Sequence, residues 1–245
     1  MSPISSYQPH VFRPEELPSK NRGGGARTIP LVTYGRGATS FLNGMTIFDP
    51  GAQIGHHTHN VAESVMVIEG RAIVDIDGER SELNTFDTTF VPANIPHHFE
   101  NISATEPMRI LWTYGSIDST RTLIDSGEHG RIDGESADSA GPSGLDSVTE
   151  VATLRVHDGH QAAFERAVAR AAPLFQRTAG ARTFALESVA EDATEYRLIV
   201  RWESVDHHMV TFRDSPEFQE WRALVGEHLA EPPRVEHLKN VLTAF

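Results

Sequence analysis

The 245-residue chain contains no cysteine. That excludes disulfides, thiolate metal sites and cysteine nucleophiles together. Positive charge is also scarce: 34 acids against 21 bases leave a formal charge of −13, and Lys20 and Lys239 are the only lysines. No basic stripe is available to neutralise a phosphate backbone, so nucleic acid is not an expected partner. No apolar run approaches the roughly 20 residues a membrane span needs. The opening Met-Ser-Pro-Ile-Ser-Ser-Tyr-Gln-Pro-His has neither the basic start nor the apolar core of a secretory signal. The expectation is a cytoplasmic protein with a small-molecule substrate and no membrane partner.

Histidine is plentiful, with thirteen in the chain, and its distribution is informative. The segment from Gly51 to Gly70 places His57, His59 and Glu63 within seven residues, and Pro92 to Asn101 supplies His97. His57 and His59 are two apart, so on a strand both side chains leave from one face. Glu63 opens the run Glu-Ser-Val-Met-Val-Ile, where Glu63, Val65 and Val67 share a face, at the end of an apolar interior. Three imidazoles and a carboxylate brought together by two hairpins suit one divalent transition ion per chain. Fe(II) and Mn(II) are favoured, and Zn, Ni, Co or Cu are compatible. No organic cofactor is expected. His56 and His98 flank the ligands, point off the opposite face, and are read as non-ligands.

The joint pattern of Gly51, His57, His59, Glu63 and Gly70, followed by Pro92, His97 and Asn101, resembles the two motifs of the cupin superfamily. Phe86 and Asn94 stand where glycines are usual, and Asn94 can still adopt a left-handed backbone. The resemblance implies an all-β, jelly-roll-like barrel. It also implies that His57, His59, Glu63 and His97 are the metal ligands, with Glu63 a candidate catalytic group.

Composition divides the chain further. Residues 1–28 are rich in proline and glycine and read as an N-terminal arm, and 29–125 alternate short apolar segments with turn residues as a cupin barrel does. Residues 126–147 are mainly Gly, Ser, Asp and Glu, too polar for a core, and read as a flexible acidic linker. Residues 148–245 change rhythm. Phe164, Val168, Ala171, Leu174 and Phe175 recur at helical spacing between strand-like runs, and the order β-α-β-β-α-β predicts a ferredoxin-like unit. One sheet face would then need cover, which a second copy would supply as a dimeric α+β barrel.

Tyr196-Arg-Leu-Ile-Val-Arg-Trp-Glu-Ser-Val-Asp-His-His208 and Phe212-Arg-Asp-Ser-Pro-Glu-Phe-Gln-Glu-Trp-Arg222 resemble the antibiotic-biosynthesis monooxygenases. Members use O2 without metal or flavin on electron-rich phenols. Trp202 matches the family's strand tryptophan and is the pocket and catalytic candidate. Leu198 replaces an asparagine found in anthrone-oxidising members. Trp221 reads as core.

Three functions follow. The first is a metal-dependent oxygenase acting with O2 on a phenolic or polyketide-like molecule. The second is a cyclase or isomerase in which the metal is a Lewis acid, with the second domain serving dimerisation or substrate binding. The third is a non-catalytic binding module.

Overall fold

A computed structural model of the protein describes residues 10–132 and 147–241, which form two compact units, one on each side of the intervening stretch. The first unit is all β. Its strands are β1 (Lys20–Gly23), β2 (Ala26–Val32), β3 (Leu42–Phe48), β4 (His57–His59), β5 (Glu63–Glu69) and β6 (Ala72–Ile76). They continue as β7 (Glu79–Leu83), β8 (Thr88–Val91), β9 (His97–Asn101), β10 (Met108–Tyr114), β11 (Thr120–Leu123) and β12 (His129–Arg131). Two six-stranded sheets result, ordered β1-β2-β3-β10-β5-β8 and β12-β11-β4-β9-β6-β7.

Period-2 patterning dictates this arrangement. Along β10, Met108, Ile110, Trp112 and Tyr114 are buried while the residues between them are more exposed, and β5 buries Glu63, Val65 and Val67 in the same way. Those faces join Val74 of β6 and Phe99 of β9 in one apolar cluster shared by both sheets. Gly70 ends β5 with φ +80°, where a Cβ would press on the Pro107 carbonyl, so the turn into β6 requires glycine. Gly44 on β3 has a different role: a Cβ there would overlap the Trp112 ring, so its absence lets the indole lie flat over the strand.

The expected closed barrel is not formed. Neither sheet closes on itself; β1 and β8 are the edges of one, β12 and β7 of the other. The interior strands each turn one face to the core, and two open sheets facing each other satisfy that requirement through side chains alone. The edges are managed by polarity: β7 reads Glu-Arg-Ser-Glu-Leu, a charged strand poorly suited to accept another.

Part of the stretch expected as linker belongs to the first unit. His129–Arg131 pairs with β11, and Ile132 is buried in the core. The remainder of that stretch up to residue 146 lies outside the described residues, as do residues 1–9 of the expected arm. Within 10–28, β1 and the start of β2 form the edge of the first sheet.

The second unit comprises β13 (Val148–Arg155), α1 (Gln161–Gln176), β14 (Ala181–Val189), β15 (Asp192–Trp202), a π-helical turn (His207–Phe212), α2 (Pro216–Val225) and β16 (Arg234–Leu238). The sheet order is β14-β15-β13-β16. Helix α1 buries Phe164, Ala167, Val168, Ala171, Leu174 and Phe175 along one face, and α2 adds Trp221 and Val225. Ser215 caps α2 by accepting from the Phe218 N–H at 3.3 Å, with Pro216 at the first helical position. This sheet is also open, with β14 and β16 at its edges, so its strands close no α+β barrel. The outer face of this sheet is mixed: Val151 and Ile199 are register partners on it, beside Arg155, which pairs with Asp192 at 3.0 Å and Glu195 at 2.6 Å, and Arg201, which donates to Ser147 at 2.9 Å. No helix of the described residues is long and apolar enough to cross a membrane.

Candidate metal centre

The two-residue spacing of His57 and His59 places both on the buried face of β4, with Thr58 between them turned away. β9 lies alongside, joined to β4 through the pair His57↔His97. The three ring centroids are 4.5, 4.8 and 5.2 Å apart, and one ligand atom from each imidazole lies within 4.8 Å of the others. Glu63 enters from the other sheet. Its Oε2 is 2.8 Å from His97 Nε2 and 3.8 Å from His59 Nε2. All four residues are at most 4% exposed.

The donor set is one that could hold a cation. His57 Nδ1 donates to the Gly55 carbonyl at 2.8 Å, His59 Nδ1 to Thr120 at 2.8 Å, and His97 Nδ1 to Ile95 at 2.9 Å. Each bond fixes a ring and turns its Nε2 inward, the arrangement by which ligating histidines are usually oriented. His59 Nε2 is buried without a hydrogen-bond partner, an orphaned acceptor of the kind a metal ion satisfies. His97 faces acceptors with both nitrogens, so it holds, against Glu63, the proton that an ion would displace.

The electrostatics agree. Burial, then the neighbouring His59 and His97, hold His57 down at about 3, and burial likewise lowers His59, so both imidazoles are neutral near pH 7. Burial acts to raise Glu63, but the charges of the imidazoles and the His97 hydrogen bond prevail and hold it at about 2. Burial acts to lower His97, and the hydrogen bond and charge of Glu63 reverse that, leaving it raised. Tyr114 is hydrogen-bonded to Glu63, and burial, then that carboxylate's charge, push its phenol far up. The cavity beside the cluster is walled by Ile54, Phe99, Ile110 and Trp112, with Arg22 and Thr28 as polar lining. Trp112 Nε1 donates to Thr46 Oγ1 at 3.1 Å, which fixes the indole.

Trp202 lies apart from this site, in the second unit. It is fully buried among Phe175, Phe212 and His208, and its indole N–H donates to Glu150 Oε2 at 2.7 Å. Sequence reasoning passed over Glu150, although a signal was available: it sits among Val148, Ala152 and Leu154 on the buried face of an alternating strand. Burial pushes Glu150 up to about 7 despite the Trp202 hydrogen bond. His208 stacks on Trp202 at 5.3 Å and bonds His237 at 2.8 Å; burial, then His237, lower it to about 4.

Comparison with known proteins gives two family matches: the model for the cupin domain fits residues 44–114, and that for antibiotic biosynthesis monooxygenase fits 147–224. The chain is 38% identical over 110 residues to the polyketide synthase CurC of Streptomyces cyaneus, covering 44% of this chain and 71% of the relative. It is 37% identical over 94 residues to the uncharacterized protein YczJ of Bacillus subtilis, covering 38% of this chain and 99% of the relative. A solved structure from Bordetella bronchiseptica, assigned to the antibiotic biosynthesis monooxygenases, is 49% identical and aligns with 40% of this chain and 99% of its own, with a TM-score of 0.39.

Proposed function

Since the chain belongs to the cupin family through residues 44–114 and to the antibiotic biosynthesis monooxygenase family through 147–224, we propose that it is a metal-dependent cyclase or isomerase of an enolisable, polyketide-like molecule. The observation that carries this reading is the buried triad His57, His59 and His97, whose Nδ1 atoms are all tied to backbone carbonyls. Its likeness to the polyketide synthase CurC supports the substrate class.

His57, His59, His97 and Glu63 would hold the ion, which when bound supplies Lewis acidity to a substrate carbonyl. Glu63 is the group positioned to accept the proton of the carbon beside that carbonyl, because its side chain adjoins both the triad and the cavity. Tyr114 keeps its own proton and donates it in a hydrogen bond to Glu63, steadying the carboxylate. The enolate carbon then bonds to a second carbonyl carbon of the same substrate, whose oxygen takes back the proton held by Glu63, and that hydroxyl leaves as water with a second proton from the attacking carbon. No electron acceptor enters this balance. Ile54, Phe99 and Ile110 exclude bulk water, and the Trp112 ring offers a flat surface for a planar, conjugated substrate. Trp202 and Glu150 are assigned no step.

The test is turnover of an aryl poly-β-ketone mimic under nitrogen, followed by product mass. Cyclised product should form without oxygen uptake, vanish on chelation, return with added divalent metal, and be absent in His57→Ala and His97→Ala. Product that carries a new oxygen atom and forms only in air would replace this reading with an oxygenase.

A further inference from the structure

The histidines beside the inward ligands converge on a point of their own. Asp75 on β6 and His98 on β9 are register partners, so their side chains leave the second sheet on the same face, opposite Val74 and Phe99 in the core. His56 adjoins His57 at the start of β4. Its Nε2 lies 2.8 Å from His98 Nδ1 and 3.7 Å from Asp75 Oδ1, and one ligand atom from each of the three lies within 4.8 Å of the others. Ligand atoms held at roughly 2.0–2.2 Å from one ion are separated by distances of this order.

The surroundings fix these atoms. His98 Nε2 donates to Glu100 Oε1 at 2.7 Å, which leaves the Nδ1 lone pair directed at His56 and Asp75. Glu100 is in turn held by Arg80 through two bonds of 2.8 Å. A carboxylate that orients an imidazole whose other nitrogen stays open is the outer support of a metal-bound histidine. Asp75 Oδ1 accepts from the Gly78 N–H at 2.9 Å and is buried, as is His98, while the His56 side chain is 43% exposed and leaves one side open to solvent.

We propose that His56, His98 and Asp75 form a second divalent transition-metal site on the outward face of the second sheet. Two imidazoles and one carboxylate select Zn(II), Cu(II), Ni(II) or Co(II) over Mg(II) and Ca(II). The ion replaces the proton shared by His56 and His98, and water completes its shell. Its position gives it a mechanical role. β4 and β9 share a single register pair, His57↔His97, both inward ligands. An ion joining the adjacent residues His56 and His98 clasps that seam from outside, and Asp75 extends the clasp to β6. The site rests on its own residues and not on the proposed reaction.

The experiment is a titration of chelator-stripped full-length protein with Zn(II), with stoichiometry read by native mass spectrometry and thermal midpoints measured in parallel. Wild type should take up two ions. His56→Ala, a half-exposed position that can change without unfolding the chain, and Asp75→Asn, which keeps side-chain shape, should each weaken one ion at least tenfold and remove part of the zinc-dependent rise in midpoint. His57→Ala should lose the other ion alone. One ion lost only with His56→Ala would support the outer site and count against the inner one. A single ion lost only with His57→Ala, or two ions retained at full affinity in both His56→Ala and Asp75→Asn, would overturn the proposal.

Discussion

Single residues carry much of the evidence, and their backbone angles are as telling as their chemistry. Asn94 adopts φ +65°, so the substitution of asparagine for a family glycine keeps the left-handed turn that the sequence allows. Phe86 adopts φ +78° and is 74% exposed, so this ring endures a left-handed backbone while burying little surface in return. Restoring glycine removes about 1–2 kcal/mol of steric cost and adds roughly 0.5–1 kcal/mol of unfolded-chain entropy. Phe86→Gly should therefore leave stability unchanged or raise it by up to about 1.5 kcal/mol. A denaturant melt checks this, and a clear loss would mean that the ring makes contacts beyond its burial. The convergence of His57 and His59 was legible because a two-residue spacing on a strand admits one geometry. The role of His98 was not, because facing outward carries no chemistry until Asp75 and Glu100 are known to be its neighbours.

At the scale of elements, α1 could be read from its apolar spacing, since Phe164, Val168, Ala171, Leu174 and Phe175 all prove buried. Sheet closure could not be read. Alternation reports which face of a strand is buried, and an open sandwich and a closed barrel produce the same alternation. The short strand inside the stretch read as linker could not be read from composition for a related reason: polar residues such as His129 and Arg131 form an edge strand although they make no core. The clearest departure from strand patterning is Glu150 on the apolar face of β13, and it yields a pH prediction. Its folded value of about 7 lies above the ordinary 4.5, so the folded state retains a proton that the unfolded chain has released between those values. Its contribution to stability is therefore greatest below 4.5 and declines as pH rises to 7. His208 acts in the opposite sense: lowered to about 4 from 6.5, it contributes above 6.5 and loses that contribution as pH falls to 4. Glu150→Gln removes the first contribution and, because Glu150 Oε1 lies 3.5 Å from His208 Nε2, also alters the surroundings of the second. The variant should gain on wild type by roughly 3 kcal/mol as pH rises from 4.5 to 7. Urea melts in a Trp112→Phe background, where only Trp202 and Trp221 report, provide the measurement. A stability gap that does not change with pH would mean that Glu150 is ionised throughout.

For the whole molecule, the governing quantity is charge. A net −13 with a pI near 5.4 surrounds both clusters with a field that draws cations inward. Cobalt uptake, followed by its visible absorbance after rapid mixing, should slow several-fold as ionic strength rises from about 0.01 to about 1 M, over which the screening length falls from roughly 30 to roughly 3 Å. A salt-independent rate would point to a gating step and not encounter as the limit.

The main-chain anchoring of the inner histidines also bears on how such a centre changes over generations. Gly55, Thr120 and Ile95 hold the imidazoles through carbonyl groups, which every amino acid possesses. Replacing a side chain there leaves the orienting acceptor in position, so drift cannot readily erase it. The residues around the cavity can thus change while the orientation of the three imidazoles is inherited intact, a division of labour between side chains that vary and a main chain that does not.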